Sequence, residues 1–100
     1  MIIDQQGSDI VSERPVLVIY TLENCPNCEM LKEFLRSRRA SFAERDMSSA
    51  ESLTELRVNG VFAMEAPVLR SDELFLTSPD LFAGGKVREE DISRTLGLSK

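Results

Sequence analysis

At 100 residues the chain suits one domain with a single modest core, long enough to fold without disulfide or metal staples. Its 17 acidic against 12 basic side chains give a formal charge of -5, which excludes the sequence-independent grip on nucleic acid that a basic face provides. The opening Met1-Ile2-Ile3-Asp4-Gln5-Gln6 lacks the basic start and apolar core of a secretory signal, and no later apolar run is long enough to span a bilayer. No membrane partner is expected, and a cytoplasmic protein is.

Residues 1–13 are mixed and mostly polar and read as an N-terminal extension to a domain over 14–100. Residues 16–20, Val-Leu-Val-Ile-Tyr, are continuously apolar and mostly β-branched, the mark of a strand buried on both faces. Residues 26–39 place Met30, Leu31, Phe34 and Leu35 at helical spacing, opposite Glu29, Lys32, Glu33 and Arg36. The basic run Arg36, Arg38, Arg39 then falls at the C-terminal end of that helix, where cations suit the dipole.

Residues 41–47 read as a second strand with Phe42 as its only large apolar anchor. Ser48 followed by Glu51 has capping-box spacing and predicts a second helix, carried by Leu53 and Leu56 and ending near Asn59-Gly60. Residues 67–70 and 73–76 form a predicted antiparallel hairpin about Ser71-Asp72. Ser78, Pro79 and Asp80 supply a cap, a first-position proline and a first-turn acid for a short third helix ended by Gly84-Gly85. A last helix runs from about Arg88 to Leu96, with Glu89, Glu90 and Asp91 at its positive end. The order is β-α-β-α-β-β-α-α, an α/β chain.

The two cysteines, in Cys25-Pro26-Asn27-Cys28, lie where the first strand's loop enters the first helix. Pro26 suits the first helical position because its φ is already fixed and its missing N–H has no partner there anyway. Cys25 is then the N-cap and Cys28 lies in the first turn. Side chains three apart on a helix are close enough for their sulfurs to bond or part with little backbone movement.

The free amides of the first turn and the positive helix end favour a Cys25 thiolate. Lowering a thiol pKa from about 8.5 to about 7 raises the thiolate from about 3% to about half at pH 7, for about 2 kcal/mol. Cys25 at the tip is thus the candidate nucleophile, and Cys28 against the helix the candidate resolver of the mixed disulfide. Glu23 and Glu29 flank the pair and oppose the thiolate if they lie close in space.

Zinc held by one chain is disfavoured, since there are two cysteines and no histidine. An inert staple across so short a loop would constrain little unfolded-chain entropy. A nucleophile and a resolver together make a dithiol electron carrier, and two alternatives remain beside it: a dimeric iron–sulfur or metal carrier using the same cysteines, and a redox-sensing interaction module.

A buried strand followed by Cys-Pro-Asn-Cys at a helix start resembles the glutaredoxins and small thioredoxin-fold redoxins, over about residues 15–96. The resemblance implies a thioredoxin-like fold, a central mixed four-stranded sheet flanked by helices, and thiol–disulfide oxidoreductase activity without a cofactor or metal. It also implies a cis proline facing the cysteines, matched by Pro67 in Glu65-Ala66-Pro67-Val68-Leu69.

By the same carry-over Ala66 offers backbone hydrogen bonds to an extended substrate, and Pro67 keeps a backbone donor away from the thiolates. Pro26 and Asn27 support the site, and Asp80 is a candidate contact for a peptide end or amine, or a structural cap. The implied partners of this monomer are disulfide-bearing proteins, ribonucleotide reductase among them, and an electron donor.

Glutaredoxins that use glutathione carry a lysine shortly before the first cysteine and a Gly-Gly-Ser/Thr-Asp segment at the later helix start. Here those places hold Thr21-Leu22-Glu23-Asn24 and Leu76-Thr77-Ser78-Pro79-Asp80. With the cation missing, the expected donor is a flavoprotein thiol reductase rather than anionic glutathione.

Overall fold

The structure, a computed structural model, describes residues 17–63 and 65–98. The expected extension over residues 1–13, and Val16 of the first predicted strand, lie outside the described residues. In chain order the elements are β1 (Leu17–Thr21), α1 (Pro26–Ser37), β2 (Phe42–Asp46), α2 (Ala50–Val58), β3 (Val68–Ser71), β4 (Leu74–Leu76), α3 (Ser78–Leu81), β5 (Phe82–Ala83), β6 (Lys86–Val87) and α4 (Glu89–Leu96).

The four longer strands form one mixed sheet in the order β2-β1-β3-β4, with β1 parallel to β2 and antiparallel to β3, and β3 antiparallel to β4. Leu17 and Ile19 on β1 and Leu69 on β3 point to one face, where they pack with Leu31, Phe34 and Leu35 of α1, Leu81 of α3 and Ile92 and Leu96 of α4. Tyr20 and Val68 point to the other face, with Met47 of the turn after β2 and Leu56 of α2. The alternation of one strand thus sorts its side chains between two helical layers. The buried leucines and isoleucines each contribute about 1.5–3 kcal/mol by leaving water.

The strand ends shift by about a residue, so that Ser71 belongs to β3 and the hairpin turns at Asp72-Glu73 rather than Ser71-Asp72, and the helix ends differ further from the sequence expectation. The first helix ends at Ser37 rather than Arg39, in a Schellman motif: Arg39 turns left-handed (φ 60) while its N–H meets Arg36 O and that of Ala40 meets Leu35 O, both at 2.9 Å. Arg38 at this cap pairs with Glu89 and lies over Phe34. The second helix is capped by Ser49, not Ser48: the Ser49 hydroxyl accepts the Ser52 N–H at 3.1 Å, whereas Ser48 turns back onto Asp46. Its end at Asn59-Gly60 agrees, with Gly60 at φ 77.

The third helix is capped by Thr77, not Ser78, and Gly84-Gly85 do not end it. It stops at Leu81, and the two glycines, at φ 59 and 77, make the tight turn of a two-stranded ribbon between β5 and β6. Two successive positive φ values are the requirement of a type I′ hairpin, which glycine meets without a Cβ penalty.

Candidate active site

Leaving the sheet at Thr21, the chain turns through exposed Leu22, Glu23 and Asn24, with Asn24 left-handed at φ 56, and enters α1 at Cys25. Cys25 is the N-cap, in extended geometry, and Pro26 occupies the first helical position. Its Sγ accepts the backbone N–H of Cys28 at 3.1 Å. The two sulfurs are bonded, with Cα atoms 5.2 Å apart. Cys25 is half-buried and Cys28 is 1% exposed, so one sulfur faces outward and the other sits against the core.

The loop before β3 arrives opposite the pair. The Ala66-Pro67 peptide is cis, and the carbonyl oxygen of Ala66 lies 3.9 Å from Cys25 Sγ. Pro67 is fully buried, and Val68 after it pairs with Tyr20 beside the active-site loop. Sequence-distant Ala66 and Pro67 are thereby brought to Cys25, with Pro26 and Asn27 exposed between the cysteines. An N–H donated to sulfur and a helix N-terminus both favour its anionic form on reduction.

Glu29, one of the two acids flanking the pair, is held by Lys32 at 3.0 Å, and Lys32 reaches Glu44 of β2 at 3.1 Å. Those two carboxylates hold the Lys32 ammonium above its ordinary pKa. Glu23 remains exposed in the loop. Asp80 accepts the Thr77 N–H at 3.0 Å, which is the cap of α3, while the Ser78 hydroxyl is buried with no hydrogen-bond partner among the described residues.

Two features escaped the sequence reading. Buried Tyr20 donates its hydroxyl to Glu55 at 2.7 Å, and Glu55 also pairs with Arg45 and Arg70. Burial, then the bond to Glu55, raises the Tyr20 pKa, while the Tyr20 hydroxyl, with the arginines behind it, lowers that of Glu55. The other is a surface depression beside the Ala66 loop, lined by residues including Phe62, Glu65 and Pro79. Phe62 belongs to no periodic element, so no pattern marked it.

A mixed thioredoxin-type sheet that presents a Cys-x-x-Cys pair at a helix start, opposite a cis proline, defines a thiol–disulfide oxidoreductase. The glutaredoxin family model matches residues 17–88, and the chain belongs to that family. Among solved structures it is similar to a mutant of the thioredoxin-like protein BC3987, at TM-score 0.63 and 19% identity, over 83% of this chain and 96% of that one. It is also similar to the glutaredoxin-like protein NrdH-redoxin from Escherichia coli, at TM-score 0.52 and 21% identity, over 63% of this chain and 82% of that one. Both likenesses are of fold. No curated protein matches the chain. None of the described helices is long and apolar enough to cross a membrane.

Proposed function

We propose that this protein is a monomeric cytoplasmic electron carrier that reduces protein disulfides and is itself reduced by a flavoprotein thiol reductase rather than by glutathione. The observation that carries the reading is the placement of Cys25 at the α1 N-cap, its sulfur bound by the Cys28 N–H and faced by the Ala66 carbonyl. The Cys25 thiolate attacks one sulfur of the substrate disulfide and expels the other as a thiolate. Cys28, deprotonated, then attacks Cys25 Sγ, closes the intramolecular disulfide and releases the second substrate thiol. Two electrons from the reductase reopen the pair.

The backbone at Ala66 receives the substrate as an added strand, and Pro67 presents no N–H to compete for the thiolate. Asp80 serves as a cap rather than a substrate contact, since its carboxylate is already engaged by Thr77. The glutathione-type cation is replaced by Leu22-Glu23-Asn24, which supports a reductase as donor. NrdH-redoxin from Escherichia coli is a glutaredoxin-like protein with a thioredoxin-like activity profile. A thioredoxin-like activity on a chain of the glutaredoxin family fits this reading, with ribonucleotide reductase among its targets.

The test is reduction of insulin disulfides by the dithiol form. Stoichiometric cleavage that is lost in Cys25→Ser supports the reading; inert dithiol protein overturns it.

A further inference from the structure

The charge of the active-site face is left uncompensated. Several acids of the chain are tied up: Glu29 and Glu44 on Lys32, Glu55 on Tyr20 and two arginines, Asp91 on Arg88. Glu23 and Glu65 are exposed and make no side-chain hydrogen bond or ion pair among the described residues. Glu23 lies two residues before Cys25, and Glu65 directly precedes Ala66, whose carbonyl is 3.9 Å from Cys25 Sγ. Carboxylates near a sulfur that must become anionic work against the Cys28 N–H and the α1 N-terminus that favour its anion, and no side-chain cation pairs with either acid among the described residues.

An incoming cation offsets them. Next to Glu65 lies the depression bordered by Val61, Phe62, Ala63, Ser78 and Pro79, in which Phe62 is 73% exposed, so the acid is set against apolar surface.

We propose that Glu23 and Glu65 are specificity-determining residues, and that the preferred substrate is an extended polypeptide with Lys or Arg beside its disulfide cysteine and an apolar side chain seated against Phe62. The inference rests on the proposed disulfide-reductase function and names its substrate class. Strand addition along Ala66 carries the segment past Glu65 on one side and the Glu23 loop on the other. Its cations neutralise both acids as Cys25 attacks. The same two acids repel anionic thiols and disulfides, glutathione included. An exposed ion pair changes affinity by a factor of about two to five, so two acids together give about tenfold discrimination at low salt.

The test uses the reduced full chain and three peptide disulfides that differ only in Lys, Ser or Glu beside the cysteine. Single-turnover rates are taken at low and at high ionic strength, for the wild type, Glu23→Gln, Glu65→Gln, the double variant and Glu65→Lys. The Lys peptide is expected to outpace the Glu peptide by about tenfold at low salt, with the margin collapsing when the Debye length falls to about 3 Å. The double variant loses most of the preference, and Glu65→Lys shifts it toward the Glu peptide.

Phe62→Ser slows peptides that carry an apolar neighbour. Reduction of all three peptides without preference, or a preference unchanged in the double variant, overturns this inference and leaves the reductase reading standing. Failure to reduce any peptide overturns both.

Discussion

Cys28 donates its backbone N–H to the Sγ of Cys25 across 3.1 Å, a contact separate from the bond between the two sulfurs. The N-cap interaction of α1 and the redox pair are therefore one object: the sulfur that caps the helix belongs to the less buried cysteine of the pair. In most helices that capping atom is a serine or aspartate oxygen. Here it is a sulfur, and the same donated N–H favours its anionic form once the disulfide is reduced.

Residue roles follow from this asymmetry. Cys28→Ser keeps the half-buried, outward-facing thiol but cannot resolve, so it accumulates a covalent mixed disulfide with substrate while turnover falls to background. Cys25→Ser leaves only a sulfur that is 1% exposed and traps nothing. Non-reducing electrophoresis and intact-mass measurement read both, and the opposite pattern contradicts the assignment.

The Tyr20-Glu55 bond joins the centre of the sheet to α2. Tyr20→Phe removes a hydrogen bond to a charged acceptor, and a stability loss of about 1.5–3 kcal/mol is expected from urea unfolding. The pH dependence has a definite sign. The Glu55 carboxyl is held below its ordinary value of 4.5, first by the Tyr20 hydroxyl, so its contribution is present above pH 4.5 and lost as pH falls through the lower folded value. The tyrosine variant has a shallower acid-side decline, and equal slopes in the two proteins refute the coupling.

Lys32 joins α1 to β2 through Glu29 and Glu44. Its ammonium is held above 10.5, so its stabilising share is present below pH 10.5 and lost as pH rises through the folded value. Lys32→Met keeps much of the apolar stem packing and shifts neutral-pH stability by no more than about 1 kcal/mol, because both acids are well exposed. Loss of the alkaline component in the variant is the measurable difference.

Gly84 and Gly85 turn the β5-β6 ribbon at positive φ. Gly85→Ala costs about 1–2 kcal/mol in thermal or urea unfolding, whereas Gly84→Asn, a residue that tolerates the left-handed region, is nearly neutral. An alanine variant as stable as the parent contradicts the turn assignment.

The sequence made the catalytic half of the molecule readable because its signals are dense: an uninterrupted β-branched strand, then two cysteines and a proline at a helix start. The ribbon was not readable, since β5 and β6 are two residues each and no periodicity develops in so short a stretch. Gly84-Gly85 therefore looked like a helix stop, a role that uses the same positive φ. Ser48 and Ser49 are chemically equal candidates for one cap, and only the path of the chain past Asp46 separates them.

Pro67 and the cysteines are joined by strand pairing, Tyr20 with Val68, a relation that residue spacing does not contain. The family resemblance supplied that link. Phe62 and Glu65 lie in a connection with no periodic pattern, and their shared place in the depression beside the Ala66 loop follows from the tertiary path alone.

The central claim, that the Cys25-Cys28 pair turns over with electrons from a flavoprotein reductase, is tested most directly by insulin reduction with two donors side by side. NADPH with thioredoxin reductase is expected to sustain repeated turnover, and glutathione with its own reductase to give little above background. Turnover with glutathione alone, or with neither donor, contradicts the account.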